Sequence, residues 1–234
     1  MNINPKKIYC VSIMPCTAKK YEKDIPGING SKANLDVDAV LTTRELVKMI
    51  RAEHINAKDL KDENMDNILG DGTGAGVIFG ATGGVMEAAL RSAHYLLTGE
   101  NPKVDSFKKV RGMNGWKESE FVIGNTTLRV AIASGLGNAR KLMDAIKNDE
   151  VQYDFVEIMA CPGGCSGGGG QPILYNIELA EDRGNVLYRL DKSSKKRFSH
   201  ENPLVIQCYN EYLGEPLSKR AHKLLHFSHN GFHE

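Results

Sequence analysis

The chain has 234 residues and a formal charge of +1 at pH 7, with 41% hydrophobic and 25% charged residues. Such a composition is typical of a globular protein with one large domain or two lobes. The balanced charge argues against broad electrostatic binding of nucleic acid, and no apolar run has the length of a membrane span.

The cysteine count bears on the compartment. Five cysteines are too few, and odd in number, for a disulfide scaffold. The N-terminal residues also lack the apolar core of a signal peptide. We therefore expect a cytoplasmic protein whose thiols stay reduced and available to a metal.

The first half of the chain predicts two strands and two helices. Ile8–Met14 is β-branched and apolar, which predicts a fully buried central strand, and Val37–Leu41 predicts a second. Thr42–Glu45 has the spacing of a capping box, so a helix is expected from there to about residue 53. Another helix is expected over Val85–Leu97, ended by Gly99.

The second half continues this alternation. Leu128–Ala133 and Tyr153–Met159 predict strands, with a helix between them over Ala139–Asn148. Lys192–Arg197 is interpreted as a basic linker. Two closing helices are expected over Pro203–Tyr212 and Leu217–His226. Alternating strands and helices indicate parallel βαβ units, hence an α/β fold.

A cysteine pair follows the last predicted strand. Cys161 and Cys165 are separated by Pro-Gly-Gly, a turn sequence that lets both sulfurs bend toward one centre. The glycines also allow the backbone to approach a cluster closely and to donate N–H groups to it. Soft thiolates select zinc, copper(I) or iron–sulfur clusters. The alternative is a flexible glycine loop with two incidental thiols.

A second cysteine loop follows the first predicted strand. Taken alone, Cys16 would be interpreted as a small buried hydrophobic residue. Taken alone, Lys19 would be interpreted as a solvated surface residue. Together with the other loop, Cys16 predicts a third thiolate and Lys19 an ammonium donor to an anionic ligand. Met14 and Met159 lie two residues before a cysteine and are expected to shield the centre from water. Both loops lie at carboxyl ends of strands, where α/β sheets build their sites.

Three thiolates leave one position of a cubane open, because a [4Fe–4S] cluster usually takes four. Cys10 lies within a predicted strand and Cys208 within an amphipathic segment. Both are expected to be buried structural residues. The fourth ligand is therefore expected from elsewhere.

These motifs resemble those of the [FeFe]-hydrogenase catalytic domain. Met14–Lys20 and Met159–Pro172 resemble the second and third cluster-binding signatures of that family almost letter for letter. Phe79–Ala89, Leu41–Leu46 and Asn202–His226 are similar to further family segments. The resemblance implies a two-lobed α/β domain of mostly parallel sheets flanked by helices, with the cluster site between the lobes. Residues 1–200 would form the lobes and residues 201–234 a C-terminal helical wrap.

The resemblance also implies a cofactor and a reaction. The family reduces protons reversibly to dihydrogen at the H-cluster, a [4Fe–4S] cubane bridged by a cysteine sulfur to a di-iron subcluster with carbonyl, cyanide and dithiolate ligands. By this resemblance Cys16 and Cys161 would bind the cubane, and Cys165 would bind it and bridge to the di-iron unit. Lys19 would donate a hydrogen bond to a cyanide, with Met14 and Met159 packed nearby. The pocket would be lined by Phe79, Gly80 and Thr82.

The first family signature, which supplies the fourth cubane cysteine, is absent. The chain is therefore expected to be a shortened form of the domain, half of a split enzyme or a degenerate relative. Expected partners are a chain or segment with the missing signature, maturation proteins, and a ferredoxin or electron-transfer subunit. Two alternatives stay open: a non-catalytic iron–sulfur sensor or assembly protein, and a fragment that binds zinc or a cubane only.

Overall fold

The computed structural model describes residues 3–28, 30, 35–66, 69–70, 72–103, 105–174 and 178–226. The strands, in chain order, are β1 (Val11–Met14), β2 (Ala39–Thr42), β3 (Trp116–Ile123), β4 (Thr126–Ser134) and β5 (Phe155–Met159). The helices are α1 (Ala18–Glu22), α2 (Thr43–Ala52), α3 (Gly74–Val77), α4 (Gly84–Thr98), α5 (Leu136–Lys147), α6 (Ala180–Ser193), α7 (Pro203–Cys208) and α8 (Lys219–Leu225). The described elements therefore form a mixed α/β protein.

The chain forms two compact units. The first, here called the terminal unit, consists of Met1–Asn64, Gly169–Pro172 and Pro203–Glu234. The second, the central unit, consists of Met65–Gly168 and Ile173–Asn202. The cysteine loop after β5 belongs to the central unit up to Gly168, and its last residues belong to the terminal unit. The described C-terminal helices α7 and α8 fall within the terminal unit.

In the central unit, β4 carries the hydrophobic core on both faces. Side chains alternate along a strand, so Val130 and Ile132 face one way, while Ala131 and Ala133 face the other. The first face packs against residues that include Met86 and the second against α5. These four side chains are fully buried. A strand buried on both faces lacks the polar alternation of a surface strand, and for this reason β4 was recognisable in the sequence.

The central sheet has the order β3-β4-β5. β4 and β5 are parallel, with Ser134 opposite Met159, which confirms the predicted parallel crossover through α5. β3 pairs with β4 in an antiparallel hairpin that the sequence analysis did not assign. β3 was missed because its Lys-Glu-Ser-Glu run, Lys117–Glu120, is polar and mostly not buried.

In the terminal unit, β1 and β2 form a two-stranded parallel sheet. The expectation that Ile8–Met14 is a fully buried central strand was wrong. Only Val11–Met14 is a strand, and Val11 and Ile13 are 50% and 51% exposed. The physical reason is that Val11 and Ile13 lie on the same face of the two-stranded sheet, and no described element covers that face closely enough to bury them. The expectation that Cys10 is buried was also wrong, because Cys10 is exposed.

Several predicted helices have nearly the observed bounds, although α1, α3 and α6 were not predicted. α2 begins with the expected capping box: Thr42 Oγ1 accepts from the Glu45 N–H, and Glu45 accepts from the Thr42 N–H. α4 ends before Gly99, whose φ of 76° caps the helix in the left-handed region. Lys192 was wrongly interpreted as part of a linker, because it lies in the last turn of α6. No helix within the described ranges is long and apolar enough to span a bilayer.

The capping box of α2 predicts a pH dependence. Hydrogen bonds from the Thr42 backbone and from Lys20 lower the pKa of Glu45 from 4.5 to about 2. Because the folded-state pKa is depressed, the carboxylate stabilises the fold above pH 4.5, and this contribution is lost as the pH falls toward 2. We expect Glu45→Gln to be less stable than wild type at pH 7 and to show a smaller further loss at pH 3, as measured by urea unfolding. An equal loss of stability in both proteins between pH 7 and pH 3 would contradict this role.

Candidate metal centre

The cysteine loop after β5 has a fixed backbone in the central unit. Gly163 and Gly164 both adopt the left-handed region, with φ of 79° and 80°. A 3₁₀ turn over Gly164–Gly167 follows. The Gly164 N–H donates to the Cys161 carbonyl at 3.0 Å and the Gly168 N–H to the Cys165 carbonyl at 2.9 Å. The loop is therefore an ordered double turn rather than a flexible glycine segment. Each turn begins at a cysteine, whose carbonyl accepts the hydrogen bond that closes the turn.

Neighbouring segments anchor this loop through its peptide groups. Ser134, at the end of β4, accepts from the Gly163 N–H at 2.8 Å through its hydroxyl, which also donates to the Cys161 carbonyl at 3.4 Å. The Gly163 carbonyl accepts from the Thr82 N–H at 3.2 Å and from the Ser166 hydroxyl at 2.9 Å. Two strand ends and the turn before α4 thus determine where the two thiols are presented.

The glycines in this loop are required by space as well as by φ. A Cβ on Gly164 would lie 2.7 Å from the Thr82 nitrogen, and one on Gly167 would lie 2.0 Å from the Pro162 carbonyl oxygen. A Cβ on Gly163 would lie 2.8 Å from the side chains of Ala180 and Met113. Since any side chain at these positions would displace the backbone, the loop conformation depends on glycine.

A buried carboxylate fixes β5, the strand that leads into the loop. Glu157 accepts from the Gly83 N–H at 2.6 Å and the Met86 N–H at 2.7 Å, at the N-terminus of α4. Burial raises the pKa of Glu157 despite these bonds. Burial also lowers the pKa of the nearby Lys117 to about 8. Sequence reasoning missed Glu157, although an acidic residue inside an apolar strand is a detectable signal.

A cavity of about 230 Å³ adjoins the loop at Gly163. Its wall includes Thr82 and Tyr188, and the Arg111 guanidinium lies 4.4 Å from the Tyr188 ring centre. Thr82 is 3% exposed, and its hydroxyl has no hydrogen-bond partner within the described part of the chain. A polar atom buried without a partner is costly, so Thr82 is the residue here most suited to a bound group.

The other predicted lining residues occupy different environments. Phe79 lies in a 3₁₀ turn over Ile78–Gly80 and is 45% exposed. A Cβ on Gly80 would lie 2.7 Å from Leu187 Cδ1, so this glycine allows close packing onto α6. That Phe79, Gly80 and Thr82 line a cofactor pocket stays a prediction.

The first cysteine loop lies in the terminal unit. Cys16 is partly buried, just after β1, which ends at Met14. Lys19 is held by Glu22, with Nζ 2.6 Å from Oε1 and 2.7 Å from Oε2. Gly170 lies against this loop, donating its N–H to the Pro15 carbonyl at 3.1 Å. The terminal unit thus joins the Cys16 loop to the end of the glycine run that follows Cys165.

The residues present fit an iron–sulfur group. Cys161 and Cys165 are thiols, not disulfide-bonded, and Cys165 is exposed. Thiolates are the usual ligands of such clusters, and the glycines at positions 163 and 164, between the two cysteines, add no side chain of their own. That Cys16, Cys161 and Cys165 bind one cluster stays a prediction, as do the roles of Lys19, Met14 and Met159.

Two family profiles match the chain. The profile described as "Iron only hydrogenase large subunit, C-terminal domain" matches residues 1–169. The chain belongs to the iron-only hydrogenase family. A second profile, "Iron hydrogenase small subunit", matches residues 177–231. The resemblance inferred from the cysteine motifs is therefore confirmed, and so is the hydrogenase-like α/β fold.

The curated relatives include hydrogenases and assembly proteins. The chain is 48% identical over 229 residues to the NADP-reducing hydrogenase subunit HndD of Solidesulfovibrio fructosivorans, covering 97% of this chain and 38% of the relative. It is 44% identical to iron hydrogenase 1 of Clostridium pasteurianum, covering 97% and 40%. It is 30% identical to Protein NAR1 of Arabidopsis thaliana, covering 94% and 49%. The chain thus spans less than half the length of these relatives.

Solved structures give the same family. A variant of the [FeFe]-hydrogenase of Chlamydomonas reinhardtii aligns with a TM-score of 0.77 and 42% identity, covering 95% of this chain and 63% of that one. An [FeFe]-hydrogenase structure from a study of oxygen inactivation, in which the 2Fe subcluster of the H cluster is modified and degraded, aligns with a TM-score of 0.76 and 43% identity, covering 95% of this chain and 62% of that one. Relatives of this chain thus carry an H-cluster with a 2Fe subcluster.

Proposed function

We propose that this chain supplies two of the three cysteine loops that hold the H-cluster of an [FeFe]-hydrogenase, which interconverts two protons and two electrons with dihydrogen. The observation that carries the proposal is the double turn after β5. Its left-handed glycines and its anchors on Ser134 and Thr82 present Cys161 and Cys165 at the carboxyl end of a strand. When bound, the H-cluster supplies the metal-based redox chemistry.

The protein's own side chains have separate roles in this proposal. Cys16, Cys161 and Cys165 would hold the cubane, and Cys165 would also hold the di-iron subcluster. Lys19 is hydrogen-bonded to both carboxylate oxygens of Glu22. Because an ammonium has three N–H donors, Lys19 would have one left to donate to a cyanide ligand. Met14 and Met159, at the ends of β1 and β5, exclude water from the centre.

A segment with the fourth cubane cysteine is the first proposed partner. β1 exposes about half of Val11 and Ile13, and β5, an edge strand of its sheet, exposes 43% of Phe155 and 44% of Ile158. Parallel strands are normally covered on both faces, so these apolar strands are the surfaces that such a segment would cover. The chain covers 63% of the length of one solved relative.

The second proposed partner is a ferredoxin or an electron-transfer subunit. Lys192 and Lys195 are exposed and basic, and an acidic partner would be steered toward them at low salt. The hydrogenase role is favoured over assembly because the identity to hydrogenases is 44–48%, whereas the identity to Protein NAR1 is 30%.

The ligand assignment predicts a clear pattern of iron binding. After anaerobic loading with iron and sulfide, the wild-type chain is expected to hold about four iron atoms, as one cubane. Cys16→Ser, Cys161→Ser and Cys165→Ser are each expected to lose most of this iron, because each removes a thiolate. Cys10→Ser and Cys208→Ser are the matched controls and are expected to keep it. Iron and acid-labile sulfide are measured together, since bound zinc would bring no sulfide.

Activity is tested by co-expressing the chain with a segment bearing the absent signature and with maturation proteins. Hydrogen evolution from a reduced dye is the expected result. A folded, metal-loaded assembly that evolves no hydrogen would instead support the assembly or sensor function. Retention of iron by Cys161→Ser would contradict the site itself.

A further inference from the structure

Arg44, in the first turn of α2, is bonded to three successive peptide groups of the glycine run. Its side chain donates to the Gly169 carbonyl at 3.0 Å and to the Gln171 carbonyl at 2.8 and 3.1 Å. Its backbone N–H donates to the Gly170 carbonyl at 2.9 Å. All of these residues belong to the terminal unit. Arg44 therefore donates to all three carbonyls of residues 169–171.

The same stretch lies directly on the Cys16 loop. Gly170 donates to the Pro15 carbonyl, and a Cβ on Gly170 would lie 2.8 Å from the Cys16 nitrogen. A Cβ on Gly169 would lie 3.3 Å from the Thr17 hydroxyl. The glycine run is thus placed between Arg44 on one side and the Pro15–Cys16 peptide on the other.

The charge of Arg44 is committed to these carbonyls. Among the described residues, no carboxylate lies within ion-pair distance of it, and the adjacent Glu45 pairs with Lys20 at 2.9 Å. The planar guanidinium has donors spread over a rigid fork, which allows it to bridge two carbonyls at once; a lysine ammonium is a single compact donor group. The interaction therefore depends on the shape of the guanidinium as well as on its charge.

We propose that Arg44 is a positioning residue for the cluster site. It sets the register of residues 169–171 on the Cys16 loop. Because Cys165 precedes Gly169 by only four residues, this register constrains the course of the chain that leaves Cys165. The role rests on the proposed function, since it is assigned with respect to the cluster ligands. Its physical value is preorganisation: a site held in place before loading needs less ordering when the cluster binds.

Hydrogen exchange of the full-length chain without cluster tests the anchoring directly. In Arg44→Gln, exchange at the Gly170 amide is expected to rise by at least about tenfold, because several hydrogen bonds from a charged donor are lost. Arg44→Lys is expected to show a similar rise, since lysine cannot span both carbonyls. Arg51→Gln is the matched control: Arg51 is exposed in the last turn of the same helix, so exchange at Gly170 should not change. Circular dichroism checks that all variants are folded.

Two exchange results would overturn the proposal: unchanged exchange at Gly170 in Arg44→Gln, or wild-type exchange in Arg44→Lys. If Arg44→Gln does not fold, hydrogen exchange at Gly170 in the milder variant Arg44→Lys still tests the proposal.

A second readout uses the protein loaded with iron and sulfide. The EPR signal of the reduced cubane is expected to be broader in Arg44→Gln and Arg44→Lys than in wild type and Arg51→Gln, because a loosely held loop presents its ligands in a range of geometries. Identical spectra would overturn the positioning role. The two proposals can fail separately: a wild-type chain that binds no cluster contradicts the proposed function, whereas unchanged exchange and spectra in the Arg44 variants contradict only this inference.

Discussion

Replacing Arg91 by methionine is expected to destabilise the central unit by about 3–5 kcal/mol. Arg91, in α4, is 4% exposed and donates to both oxygens of Asp191 in α6, at 2.9 and 2.8 Å, and to Glu87 at 2.7 Å. Both carboxylates are 1% exposed. Burial opposes the ionisation of Asp191, but hydrogen bonds from Arg91 and Arg197 hold its pKa below the usual value. Without Arg91, two buried negative charges lose a shared cation.

The measurement is urea unfolding followed by tryptophan fluorescence. Trp116 is the single tryptophan of the chain and lies in β3 of the central unit, so the signal reports on that unit. Arg140→Met is the control, because Arg140 is exposed on α5, and its free energy of unfolding should change by less than about 0.5 kcal/mol. If Arg91→Met and Arg140→Met were equally stable, the ion network would have no role in holding α4 to α6.

Replacing Gly164 by alanine is expected to cost about 2–5 kcal/mol. The left-handed conformation costs an alanine about 1–2 kcal/mol, and the overlap of its Cβ with the Thr82 nitrogen at 2.7 Å adds about 1–3 kcal/mol. Because the strain falls between Cys161 and Cys165, we also expect the variant to hold less iron after loading. Urea unfolding and iron analysis measure the two effects on the same preparation.

Gly137→Ala is the matched control for this substitution. Gly137 lies in α5, and nothing lies within 4 Å of a Cβ built on it. Alanine in a helix is favoured over glycine, so this variant should gain up to about 1 kcal/mol. A Gly164→Ala protein that is as stable and as iron-rich as wild type would show that the loop can adopt another conformation, and the double turn would then not define the site.

Much of the local structure could be predicted from the sequence, because it depends on neighbouring residues. Thr42 and Glu45 form their capping box within four residues. Gly99 ends α4 because it adopts the left-handed backbone conformation. The Cys-Pro-Gly-Gly-Cys run forms a turn since its glycines adopt conformations that other residues avoid. The same motifs identified the family, as the match over residues 1–169 confirms.

The exposure of β1 and the register of the glycine run were decided only by the tertiary structure. An apolar strand has the same sequence whether or not a neighbour covers it, so Ile13 was expected to be buried and is half exposed. Glu157 contacts the start of α4 more than 70 residues away in the chain, and Arg44 contacts Gly169 and Gln171 across more than 120 residues. Local propensity contains no information about such partners. The sequence motifs therefore identified the family of the chain. The long-range hydrogen bonds decided how the cysteine loops are held, because they form only when distant segments pack together.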